Sequence, residues 1–191
     1  MLQTVIDKTQ VFMKTFCKRS TNEMFLLTNE LDVCTKLVFP GLLQYVDMKE
    51  DDRYINLFFT KPRGSKLLSE RMDKLTRNQR FDIAITLLGT IQFMHSKGYV
   101  HMNISEHNVM LDISNSPKLF NFEKSEKNAL LWKEDIFNLA VLFKKLFKDF
   151  PGVLTFVDEC MLSTQIYIPN IIQFLKDDRE TSRVRCYNFR L

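Results

Sequence analysis

Apolar and polar positions follow two different periods along this chain, and the change of period divides it. From residue 9 to 16 they alternate. Val11, Met13 and Thr15 share one side, with Phe12, Lys14 and Phe16 on the other, which predicts a strand. Over 22–37 the period lengthens to that of a helix, with Leu26, Leu27, Glu30, Leu31, Cys34 and Leu37 on one face and Phe39-Pro40-Gly41 as the stop. Residues 42–47 and 54–60 return to short strands around the charged turn 49–53. A helix is predicted over 80–96, with Ala84, Leu87, Leu88, Ile91 and Met94 inward and Lys97-Gly98 closing it. Two short apolar pieces, 109–111 and 118–120, flank the turn-rich 112–117 and predict a small hairpin. Residues 134–148 predict another helix, its inward face Ile136, Leu139, Ala140, Phe143, Leu146 and Phe147. Shorter helices are expected at 152–162 and 169–175. The pattern predicts an α+β chain: a mixed region over 1–62, a mainly helical region over 63–176 and a basic polar tail over 177–191.

Composition narrows the classes. With 191 residues, 45% hydrophobic and 26% charged, the chain can bury a core. The net charge of +4 is mild and no Lys/Arg run exceeds two residues, so no nucleic-acid partner is expected. No apolar stretch is long enough to predict a membrane span. Asp7 and Lys8 interrupt the start too early for a signal peptide. Cys17, Cys34, Cys160 and Cys186 form no Cys-x-x-Cys pair, which predicts free thiols in a reducing compartment, the cytoplasm or the nucleus. Asn103-Ile104-Ser105 fits a glycosylation sequon, read here as chance. His95, His101 and His107, six residues apart, share no helix face and predict no metal site; His101 reads as a structural hydrogen-bonding residue.

The chemistry sits in a longer string. Residues 93–112 run from a helix end at His95 through the Gly98 turn to His101-Met102-Asn103, then four residues, Asn108 and the apolar Val109-Met110-Leu111. Leu119-Phe120-Asn121-Phe122-Glu123 ends the hairpin, and Asp135 opens the following helix. In that order these pieces resemble the eukaryotic-type protein kinases, whose pattern is Leu-His, a glycine turn, His-Arg-Asp, four residues, Asn, a short strand and Asp-Phe-Gly. Val11-Phe12-Met13-Lys14 resembles their Val-Ala-Ile-Lys strand, Glu30 the helix partner of that lysine, and 39–46 the segment after that helix. The resemblance covers roughly residues 9 to 175. It implies a protein-kinase-like fold with a reduced N-terminal lobe, a few strands plus one helix, and a trimmed, mainly helical C-terminal lobe.

The departures from that pattern bear on phosphoryl transfer. Such transfer needs a phosphate cradle, a lysine, metal ligands and a carboxylate to orient the hydroxyl. Asn103 stands at the catalytic Asp, and an amide cannot take a proton at neutral pH. Ser105 stands where a phosphate-contacting lysine is usual, and Asn121 lacks the charge that would hold magnesium. Glu123 replaces a glycine. None of the 13 residues before Lys14 is glycine, so a complete phosphate-cradling lid is not expected, and 124–134 carries no Ala-Pro-Glu. The resemblance makes Lys14, Glu30 and Asn108 candidates for nucleotide, Asn108, Asn121 and Glu123 for metal, and His101 and Asp135 structural. It leaves ATP and magnesium open as ligands. Three readings follow. The first is an inactive kinase-like protein that binds protein, its partner a kinase or kinase regulator. The second is an atypical serine/threonine kinase with Lys14, Asn108 and Glu123 around a metal. The third is a helical interaction domain that binds no nucleotide and matches by coincidence.

Overall fold

Lys14 and Phe12 owe their place to strand register. The computed structural model describes residues 2–6, 9–162 and 168–188. Its first half is a four-stranded antiparallel sheet: β1 (Leu2–Ile6), β2 (Thr9–Cys17), β3 (Tyr45–Glu50) and β4 (Tyr54–Thr60), in the order β1-β2-β4-β3. β2 and β4 pair without a shift, so Phe12 faces Phe59 and Lys14 faces Leu57. One helix, α1 (Thr21–Lys36), accompanies the sheet; Ser20 caps it by accepting the Glu23 N–H at 3.2 Å, and it buries Leu27, Glu30, Val33 and Cys34. Burial pushes the Cys34 thiol up to about 12, so it packs as a small apolar group.

β1 lies outside the pattern read from the sequence, and β3 starts later than the expected 42. Leu42 and Leu43 are buried but belong elsewhere. Leu42 bridges to Leu119, Leu43 N–H donates to Leu119 O at 2.9 Å, and Leu119 N–H donates to Gly41 O at 2.7 Å. Their apolar character thus reflects a seam between the two halves of the chain, not the sheet.

In the second half, β5 (Lys66–Leu67), β6 (Val109–Leu111) and β7 (Pro117–Leu119) form a small antiparallel sheet in that order, next to the short helix α2 (Leu68–Arg71). The helix α3 (Arg77–Ser96) starts before the expected 80 because Thr76 and Gln79 cap each other, side chain to backbone, at 3.3 and 2.9 Å. It ends where Gly98 takes a φ of 80°. α4 (Trp132–Leu146), α5 (Pro151–Leu162) and α6 (Ile168–Asn188) complete this half. α6 runs well past the expected 175; no glycine or proline follows Pro169, and Arg77–Asp178 at 2.6 Å and the Arg179–Asp82 pair tie it to α3. Buried Arg80 donates to Leu75 O at 3.2 Å and to Leu146 O at 2.5 Å, so it closes the last turn of α4 from inside the core. The α+β expectation, a few strands with one helix before a mainly helical half, is what the structure shows.

Among the described residues no helix is long and apolar enough to cross a membrane. Cys17 and Cys34 are free thiols, and the side chains of Cys160 and Cys186 lie outside the described residues.

The seam between the halves has no room at Gly41, where a Cβ would overlap the Thr90 side chain on α3. Gly41→Ala should lower unfolding free energy by about 1–3 kcal/mol in urea titrations, and Thr90→Ala in the same chain should restore part of the loss.

Candidate functional site

A buried carboxylate organises the loop between α3 and β6. Asp135 is 0% exposed in the first turn of α4. Its Oδ2 accepts the His101 N–H at 2.9 Å and lies 2.8 Å from His95 Nε2; its Oδ1 accepts the Met102 N–H at 2.8 Å. Met102 takes a φ of 63°, the left-handed region, where the chain turns as the two successive N–H groups meet one carboxylate. His95 is the residue that sequence reasoning missed. The three histidines share no helix face, yet Asp135 gathers the His95 ring and the His101 backbone, while His107 stays 69% exposed. The signal was present in the Leu-His pair of the motif, read here as Met94-His95.

His101 carries the organisation onward. Its Nδ1 accepts the Asn103 N–H at 3.2 Å, so its Nε2 bears the hydrogen, donated to Phe120 O at 3.1 Å. Burial pushes its pKa down to about 4, against the pull of Asp135, and the ring stays neutral at pH 7. Its edge meets Phe122, with ring centroids 5.3 Å apart.

From the loop a relay of amides runs to the sheet. Asn108 Nδ2 donates to Asn103 O at 2.7 Å, Asn121 Nδ2 donates to Asn108 Oδ1 at 3.1 Å, and Lys14 Nζ donates to Asn121 Oδ1 at 2.7 Å. Lysine has no acceptor, so it fixes which way Asn121 turns, and Asn121 then fixes Asn108. Lys14 Nζ also meets Glu30 Oε2 at 2.6 Å and Glu123 Oε1 at 3.0 Å. Burial raises the Glu30 pKa, while the Lys14 charge and its hydrogen bond oppose the rise. Asn29 Nδ2 donates to Glu123 O at 2.9 Å, which binds the Glu123 turn to α1.

The space around Lys14 is narrow. A small opening is lined by Lys14, Glu30, Leu43, Phe59, Phe120 and Asn121. Beyond Phe120 an open cleft of about 770 Å³ lies between Phe12, Lys61, Leu67 and Met110. The backbone leaving β4 has its donors committed. Thr60 N–H goes to Gln44 O at 2.8 Å, Lys61 N–H goes to Gln10 O at 3.0 Å, and Pro62 has none.

A model of the protein kinase domain matches residues 3–130. The chain belongs to the protein kinase family. Among its curated relatives, the dual specificity protein kinase zak2 of Dictyostelium discoideum is 26% identical over 104 residues, 54% of this chain and 16% of that protein. Ribosomal protein S6 kinase alpha-2 of Mus musculus is 27% identical over 82 residues, 41% of this chain and 11% of that protein. Calcium/calmodulin-dependent protein kinase type 1 of Macrobrachium nipponense is 26% identical over 86 residues, 44% of this chain and 25% of that protein. The matched stretch thus spans a quarter or less of these relatives' length.

Within the kinase family frame, the structure brings Lys14, Glu30, Asn108, Asn121 and Glu123 into one connected cluster. Asn103 joins it through its carbonyl, and its carboxamide makes no hydrogen bond among the described residues. Ser105 contributes its carbonyl, which accepts the Asn108 N–H at 3.0 Å. The three metal candidates present oxygens already engaged by donors: Asn108 Oδ1 by Asn121, and Asn121 Oδ1 and Glu123 Oε1 by Lys14. The β6–β7 hairpin and the Asp135–His101 bond are both present, which a coincidental match in a purely helical domain would not supply.

Two outcomes test this organisation. Asp135→Ala strands two backbone donors and an imidazole, and should cost about 3 kcal/mol or more in urea unfolding. The second concerns His101. The unfolded chain protonates it near the ordinary value of 6.5 and the folded chain only near 4, so its contribution is complete above 6.5 and is lost as pH falls toward 4. The stability advantage of wild type over His101→Gln should therefore shrink by about 3 kcal/mol between pH 7 and pH 4. The comparison cancels the opposite trend from Glu30.

Proposed function

We propose that this chain is a catalytically inactive member of the protein kinase family that acts by binding protein, its partner a kinase or a kinase regulator. The observation that carries the reading is the amide relay. Asn103 and Asn121 stand at the two acidic positions, and Asn121 serves as a hydrogen-bonded link between Lys14 and Asn108. The proton-accepting carboxylate and the main metal ligand are lost together, and loss of a general base alone is worth ~10²–10⁴ in rate. A carboxylate at 121 would reverse the Asn108 amide and bring a third acid beside Lys14, so the present arrangement suits the amide. The reading includes a cytoplasmic or nuclear setting, from a sequence whose four cysteines form no Cys-x-x-Cys pair.

One observation favours the second reading, an atypical serine/threonine kinase that uses ATP and magnesium. The Lys14–Glu30 pair is in place at 2.6 Å. The decisive experiment is phosphate release and autophosphorylation with ATP and magnesium, comparing wild type with Lys14→Ala. Equal, background-level turnover is expected. Magnesium-dependent turnover that Lys14→Ala abolishes would overturn the inactive reading in favour of the second. The Asn103→Asp/Asn121→Asp pair should remain inactive and melt at lower temperature than wild type.

A further inference from the structure

We propose that Glu123 is a built-in competitor for anions at Lys14: its carboxylate takes the seat on the ammonium that a phosphate group would need. This inference rests on the inactive reading of the same site. An ammonium has three N–H groups, and Lys14 meets three oxygens, from Glu30 at 2.6 Å, Asn121 at 2.7 Å and Glu123 at 3.0 Å. The three are not equally displaceable. Glu30 is 1% exposed and also takes a backbone bond from Phe122. Asn121 is held from behind by Asn108. Glu123 reaches solvent, with its side chain 25% exposed, and its carboxylate has no such second tie among the described residues.

Its backbone cannot drift away. Phe122 is buried, Ser125 N–H closes the turn on Phe122 O at 2.9 Å, and Asn29 grips the Glu123 carbonyl. Only the Glu123 side chain is free to swing. Two carboxylates around one ammonium also leave the cluster negative, which repels a polyphosphate approaching past Phe120. Removing the Glu123 charge leaves a neutral Lys14–Glu30 pair with one unclaimed donor, beside a cleft that Lys61 and Lys66 also line. The ligand class is a di- or triphosphate, bound without metal.

The test is calorimetric titration of the full chain with ATP and, separately, inorganic tripolyphosphate, both in EDTA. Glu123→Gln and Glu123→Gly should each bind both probes about tenfold or more tighter than wild type, the scale expected when one nearby like charge is removed. Lys14→Met added to Glu123→Gln should return affinity to the wild-type level. Glu123→Gln keeps the size of the side chain, so it stands as the test if the glycine variant melts early. The proposal fails if folded Glu123→Gln binds no tighter than wild type. It fails also if the gain persists without Lys14, or if ATP gains and tripolyphosphate does not. Turnover by the wild type would sink the inactive reading separately, because it is read as phosphate transfer and not as affinity.

Discussion

The polarity of the central cluster is set by one atom. Lys14 Nζ can only donate, and every amide from the sheet to the loop takes its orientation from that fact. The four groups belong to β2, the Asn121 turn, the end of the loop and Asn103, with α1 joined through Glu30. Reversing one amide would place two acceptors or two donors face to face somewhere along the line. A network partly removed from water gains most when its members are satisfied, and here Lys14 supplies the direction of the bonds from Asn121 to Asn103. Asp135 does the same work at the other end, fixing the backbone of the loop on which Asn103 and Asn108 sit.

Family membership and departure from the family pattern meet in these residues. The positions of the kinase motif are occupied and joined to one another, so the scaffold of the site persists. What departs from the family pattern is which positions carry charge. Amides stand where the family has acids; Asn121 joins the relay through its carboxamide and Asn103 through its backbone carbonyl alone. An acid stands where the family has glycine, and it adds charge beside Lys14. The aromatic rings of Phe59 and Phe120 wall the same small opening, which puts to use a composition rich in phenylalanine.

Much of this was legible in the sequence because it is written in local patterns. The alternation around Lys14 fixed β2, the helical period over 22–37 fixed α1, and the spacing from His101 to Asp135 marked the loop, hairpin and following helix. What escaped was set by distant partners. Leu42 and Leu43 look like strand residues, but Leu119 claims them across the seam. β1 acquires its meaning only by pairing with β2. His95 looks like an ordinary helix end until Asp135, 40 residues on, is folded against it. The orientation of the Asn108 amide is invisible to any pattern, since it depends on Lys14 through a third residue.

Arg80 has a consequence for how the helical half opens. Its guanidinium holds the carbonyl just before α3 and the last carbonyl of α4 at once. Helix ends ordinarily fray one by one, each at its own low cost. Here the beginning of one helix and the end of the other are clamped by a single group, and α4 is bound at its opposite end to the loop through Asp135. Neither terminus of α4 can therefore peel back alone. Its amides should exchange with solvent only in a larger, shared opening of α3, α4 and the loop, which makes this half one cooperative unit under the reduced sheet.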